Sequence, residues 1–201
     1  MGIRVRVRSG PVAPIAAVVL LLAHGANAQS GTVTGSVTAA GLRTNGDVVI
    51  SLQAPGLKLY PPAKPVGMDQ RGMLFIPHVL PVVTGTTVKF LNSDAVGHNV
   101  FSPEGKYNLG TWPQGETKDQ KFDKPGVYTQ LCRVHSEMEA YVVVLDTPYF
   151  TTTDKTGAFQ IKNVPPGTYT LVAWSEKLKS VKQPLTVEAG KPATVNLVLN
   201  H

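Results

Sequence analysis

Cys132-Arg133-Val134-His135-Ser136-Glu137-Met138 contains the single cysteine of this 201-residue chain, set in a Cys-x-x-His-x-x-Met pattern. A thiol, an imidazole and a thioether at this spacing sit together on one short loop. Upstream, Gly97-His98-Asn99-Val100 offers a second imidazole at the head of a stretch that reads as a strand. For the four groups to meet, two strand ends remote in sequence must come together. A β-sandwich meets that demand without any helix.

The donor set selects the chemistry. An ion that cycles between two oxidation states needs ligands acceptable to both, and a thiolate with two imidazoles and a weak thioether suits copper. Cys132 gives the thiolate, His98 and His135 the imidazoles, and Met138 the weak axial position. Zinc is the competing metal, with Cys132, His98 and His135 joined by Glu137 or Glu139 in a tetrahedron, although zinc gains little from Met138. Taken singly, a lone cysteine is a small buried hydrophobe or a free thiol, and a lone histidine is structural. Four donors at matched spacing argue against that reading.

Residues 61–145 resemble a cupredoxin, the family of plastocyanin, pseudoazurin and amicyanin, and the tight Cys132-x-x-His135-x-x-Met138 loop is most similar to amicyanin. The resemblance implies a Greek-key β-sandwich holding one type 1 copper ion on His98, Cys132, His135 and Met138. It also implies that Asn99 ties the two ligand loops together near the thiolate. Arg133 and Glu137 depart from the better-known members, which bears on potential and partner choice rather than on the metal. The same resemblance makes the protein an electron carrier rather than an enzyme, with the edge of His135 as its port inside an apolar patch that includes Val134 and Pro103. Its implied partners are a redox donor such as an amine dehydrogenase, as in methylamine utilisation, and a c-type cytochrome as acceptor. Two other classes stay open: copper storage, delivery or sensing, and a structural or carbohydrate-binding sandwich.

The start of the chain decides the expected compartment. Arg4, Arg6 and Arg8, an apolar stretch over residues 12–23 and Ala26-Asn27-Ala28 together read as a secretory signal peptide over residues 1–28, which places the mature protein in the periplasm. The apolar stretch, about 12 residues long and containing Pro14, falls short of the roughly 20 that a membrane span requires. The whole chain carries a net charge of +6; losing residues 1–28 takes three arginines and no acid, leaving 16 basic against 13 acidic residues, or +3. Lys118, Lys121, Lys124, Lys177, Lys179 and Lys182 are spaced as solvated positions, and no basic block interleaved with aromatics suggests nucleic acid.

Nineteen glycines and sixteen prolines punctuate short runs rich in valine, threonine and aromatics, so the expected fold is all-β. Strands are expected near residues 32–37, 47–52, 73–76, 79–83, 86–91, 99–102, 117–122, 127–131, 141–145, 158–161, 168–174, 181–187 and 194–199. Seven of these fall within residues 73–145; neither the two before nor the four after would bury a core alone. Thr153-Asp154-Lys155-Thr156-Gly157-Ala158-Phe159 and Val164-Pro165-Pro166-Gly167-Thr168-Tyr169 resemble a carboxypeptidase regulatory-like domain of transthyretin-like or starch-binding-like shape. Gly31-Thr32-Val33-Thr34-Gly35-Ser36-Val37 supplies the opening strand of that family. The expected organisation is therefore an insertion, with residues 31–60 and 146–200 forming a small transthyretin-like sandwich and the cupredoxin of residues 61–145 emerging from it. Pro55, Pro61, Pro62, Pro65 and Pro148 stiffen the crossings. Simple tandem order, with an extended cupredoxin over residues 31–145, is the alternative.

Outside the copper set the chemistry is sparse. Trp174, Tyr149 and Tyr169 are better read as packing than as sugar-stacking platforms. Met68, Met73 and His78 make a weak second soft-metal candidate, outweighed by strand packing. His201 is read as a disordered terminus. No nucleophile and base set, paired carboxylates, phosphate loop or second-copper cluster of an oxidase or nitrite reductase stands out.

Overall fold

Side-chain alternation builds the strands. Thr86 to Asn92 reads buried, half-buried, buried along its whole length, the period-two signature of a strand with one face on a core. The computed structural model describes Gly2 and residues 29–201; the signal peptide expected over residues 1–28 otherwise lies outside the described residues. Sixteen strands are found among the described residues, and no helix. They are β1 (Gly31–Ala39), β2 (Val49–Gln53), β3 (Val66–Gln70), β4 (Phe75–Ile76), β5 (Val79–Val83), β6 (Thr86–Asn92), β7 (His98–Ser102) and β8 (Tyr107–Trp112). The series continues with β9 (Thr117–Phe122), β10 (Gly126–Leu131), β11 (Glu139–Leu145), β12 (Phe150–Thr152), β13 (Ala158–Val164), β14 (Gly167–Trp174), β15 (Val181–Val187) and β16 (Pro192–Leu199). The expected all-β class is the observed one.

Four sheets stack in two pairs. The first pair joins β13-β1-β16 to β12-β2-β14-β15, and the second joins β5-β11-β10-β7-β8 to β4-β3-β6-β9. Both β1 and β2 pair with strands that follow residue 149: β1 runs parallel to β16 and antiparallel to β13, and β2 lies between β12 and β14. Gly35 is required there, because a Cβ would collide with the Val195 carbonyl oxygen of β16. Val33, Ile50, Leu52, Ile161, Leu171 and Leu199 fill the core of this outer sandwich. Met68, Phe90, Val100, Trp112, Met138 and Val142 fill that of the inner one.

The two sandwiches meet sheet to sheet. Val49 on the outer side faces Val79 and Val143 on the inner side, with Trp174 and Tyr141 packed against them at the edge. Their rings stand edge to face, 5.7 Å apart between centroids, an arrangement aromatic quadrupoles favour.

Three strands escape the sequence pattern, each for a local reason. In β3 a glycine and an aspartate interrupt the apolar run. In β8 Gly110 adopts φ 80° beside an irregular pairing with β7. In β12 only three residues are extended. Conversely, the strand expected over residues 73–76 is shortened to Phe75–Ile76, because Gly72 (φ 64°) and Met73 (φ 57°) turn the chain.

Candidate metal centre

The ligand loop fills the whole connection of a hairpin. β10 ends at Leu131 and β11 begins at Glu139, so residues 132–138 are the turn between them. Inside the loop the Met138 N–H donates to the His135 carbonyl at 3.1 Å, which folds the second half of the loop back on itself. β7 lies beside β10, pairing Phe101 with Leu131, so His98 at the head of β7 is brought against the loop.

Three of the four expected ligands converge. His98 Nδ1 lies 3.1 Å from His135 Nδ1, and the Cys132 Sγ lies 4.0 Å from the same nitrogen. All three donor atoms fall within 4.8 Å of one another. An ion bound at about 2.0–2.3 Å from nitrogen and sulfur holds its donors roughly 3–4 Å apart, which the separations of His135 Nδ1 from His98 and from Cys132 match. Cys132 and His98 are buried and His135 is half-buried. Met138 is fully buried in the same core cluster as Cys132.

Asn99 braces the cup at several points. Its backbone N–H points at Cys132 Sγ at 3.4 Å, and its Oδ1 accepts the Arg133 N–H at 3.3 Å. Its Nδ2 donates to Asn108 Oδ1 at 2.8 Å and to the Gly110 carbonyl at 2.7 Å. One buried amide thus fixes β7, β8 and the ligand loop together. The Arg133 guanidinium lies over the Phe101 ring, 5.0 Å from its centroid, which turns its charge along β7.

A participant that the sequence reading missed stands behind His98. Asp94 Oδ2 lies 2.8 Å from His98 Nε2, and the same carboxylate accepts the backbone N–H of Gly72 at 2.7 Å and of Met73 at 2.9 Å. Those two backbone bonds, then the bond from His98, hold the Asp94 carboxyl down at about 2. With Nε2 donating to a carboxylate, the ring presents the bare Nδ1 to the cup, as an outer partner does for metal-bound histidines. The signal available in the sequence is a carboxylate four residues before a ligand histidine, in the turn-forming Asn92-Ser93-Asp94.

The other expected participants are placed elsewhere. Among the described residues no carboxylate joins the cluster of His98, Cys132 and His135, so Glu137 and Glu139 do not complete a zinc tetrahedron; Glu139 Oε1 instead accepts the Tyr141 hydroxyl at 2.7 Å. Met68 is buried in the inner core, Met73 is exposed, and both ring nitrogens of His78 are engaged, by the Glu139 carbonyl and by Glu176. These three groups form no second site. Trp174 packs on Tyr141, and Tyr149 on Tyr169, whose hydroxyl donates to the Pro165 carbonyl. Beside the cup, Val134 is exposed, and exposed Met73 and Val96 line a shallow depression with Asp94.

Residues 63–145 match the family model described as copper binding proteins, plastocyanin/azurin family, and residues 138–200 match the carboxypeptidase regulatory-like domain. The central segment is a cupredoxin domain. The metal of that family is copper, and the cluster of His98, Cys132 and His135 is its candidate position here. Among solved structures, the chain is similar to a copper-containing nitrite reductase from Thermus scotoductus SA-01 at 28% identity, over 47% of this chain and 25% of that one, with a TM-score of 0.39. It spans only about a quarter of the length of that reductase. A purple cupredoxin from Nitrosopumilus maritimus shows 26% identity over 40% of this chain and 99% of its own, with a TM-score of 0.37. An amicyanin variant in its Cu(I) form shows 23% identity over 47% of this chain and 99% of its own, with a TM-score of 0.39. No curated protein matches. No helix among the described residues is long and apolar enough to cross a membrane.

Proposed function

We propose that this protein is a periplasmic type 1 copper protein that carries single electrons between larger redox partners, with the ion held by His98, Cys132, His135 and Met138. The observation that carries the reading is the convergence of two imidazole Nδ1 atoms and the only thiol in a cup braced by Asn99. Copper bound there supplies a one-electron couple between its two common oxidation states. The protein's part is to hold the donors still. Asp94 fixes the His98 ring, Asn99 fixes the sulfur and the loop backbone, and burial of Cys132 and Met138 keeps water away from the sulfur ligands. His135 is the least buried of the three clustered donors, which makes its edge the natural port, with exposed Val134 beside it.

The division into a discontinuous outer sandwich, residues 31–60 with 146–200, and an inserted domain, residues 61–145, belongs to the same proposal. The pairing of β1 and β2 with later strands supports it. Export rests on the basic and apolar segments read in residues 1–28, and the partners, an amine dehydrogenase as donor and a c-type cytochrome as acceptor, rest on similarity to amicyanin.

Addition of Cu(II) to the purified protein tests the assignment. An intense visible thiolate charge-transfer band and reversible one-electron voltammetry are expected. A colourless protein that binds Zn(II) tightly would remove the carrier reading, and Cu(I) retention without reversible oxidation would replace it with storage or delivery.

A further inference from the structure

One histidine joins the outer sandwich to the end of the ligand loop. His78 immediately precedes β5, and its Nδ1 lies 3.1 Å from the backbone oxygen of Glu139 while its Nε2 lies 3.0 Å from Glu176 Oε2. Both partners are acceptors, so a proton on either ring nitrogen finds one. Glu176 belongs to the outer sandwich, just beyond β14, whereas Glu139 is the first residue of β11 and is peptide-bonded to Met138. The ring is also fixed in orientation. Its own backbone carbonyl accepts the Tyr141 N–H at 2.9 Å, and the Tyr141 ring stands edge-on to it at 5.6 Å and to Trp174 of β14 at 5.7 Å.

The placement explains why the bond matters. In the sheet order β5-β11-β10, the β10 side of β11 is paired from Glu139 onward, but pairing with β5 starts only at Tyr141 and Val79. On that side the Glu139 carbonyl is held by the His78 side chain. The Glu176 carboxylate, largely buried in the seam with Lys177 at 3.3 Å, in turn holds His78.

We propose that His78 and Glu176 are positioning residues for Met138, so that the outer sandwich sets the weak-ligand end of the copper loop from behind. The idea rests on the ligand reading given above, and its test separates the two. Selective 13C labelling of methionine methyl groups in the metal-free whole chain gives signals for Met1, Met68, Met73 and Met138, the last assigned by its loss in Met138→Leu and Met68 and Met73 by their loss in the corresponding leucine variants. Glu176→Ala and His78→Gln are expected to shift the Met138 methyl resonance while leaving Met68 and Met73 in place, and Glu176→Gln, which keeps an acceptor for His78, is expected to restore it. In the copper-loaded protein, Glu176→Ala is expected to move the midpoint potential upward, in the direction of Met138→Leu but less far. An unmoved Met138 methyl in both variants, or equal shifts of the Met68, Met73 and Met138 methyls, overturns the proposal. If the methyl moves as expected while Met138→Leu leaves the potential unchanged, the positioning role stands and the ligand role of Met138 falls.

Discussion

The two sandwiches are built from similar strands but fill their interiors differently. The core of the outer sandwich is made of valine, leucine, isoleucine, alanine and phenylalanine, with Tyr169 sending its hydroxyl to a carbonyl at the edge. The inner sandwich buries His98, Asn99, Asn92, Gln70 and Gln130 along with its apolar residues. A buried polar group costs stability unless it is paired. Asn92 is therefore tied to the Val96 and Trp112 carbonyls, and Gln130 to the Tyr107 hydroxyl and the Tyr128 carbonyl. The difference teaches where function sits. The outer sandwich buries only short hydroxyls, such as Thr147 donating to the Leu52 carbonyl, while the inner one gives up apolar volume for buried amides and the His98 imidazole.

Replacing Cys132 with serine is the largest break available. The hydroxyl is a poor substitute for a thiolate toward copper, so the visible band should vanish entirely. Far-ultraviolet circular dichroism should stay that of a β-sandwich, since the strands depend on the apolar core. A retained band refutes the ligand assignment. The complementary change is Leu171→Ala, which empties a fully buried position in the outer core. It should cost about 2–5 kcal/mol in urea unfolding, while the copper band of the folded protein keeps its wavelength and intensity. A shifted band would mean that the two interiors are not separable in the way their composition implies.

The parts of this molecule that were readable in sequence are those where residue type and spacing alone specify the job. The loop of residues 132–138 needs only a hairpin to bring Cys132 and His135 together, and the Gly31 to Val37 pattern needs only a close strand neighbour at Gly35. What escaped depends on register or on distance along the chain. β8 hides behind Gly110, whose left-handed conformation breaks the alternation. His78 meets Glu176 across 98 positions, a pairing that no local pattern encodes. Met73 read as part of a strand because it is apolar, yet the Asp94 carboxylate captures its N–H and that of Gly72 and holds both in a turn.

That capture gives the smallest and most specific test of the contrast between the interiors. Asp94 has its carboxyl held at about 2, against an ordinary value of 3.8, first by the backbone N–H of Met73 and Gly72 and then by His98. A carboxyl whose value is depressed on folding adds stability that is fully present above the ordinary value and is lost as pH falls through the depressed one. Asp94→Asn keeps an acceptor of similar shape but removes the charge, so in metal-free protein it should be less stable than wild type at pH 7. The gap should narrow from about pH 4, be small but still present at pH 2, where the wild-type carboxyl is half protonated, and close only below that. Urea unfolding at pH 7, 4 and 2 measures it. A gap that stays constant with pH would assign the effect to hydrogen-bond geometry instead of charge, and Asp94 would then orient His98 without acting as its fixed anion.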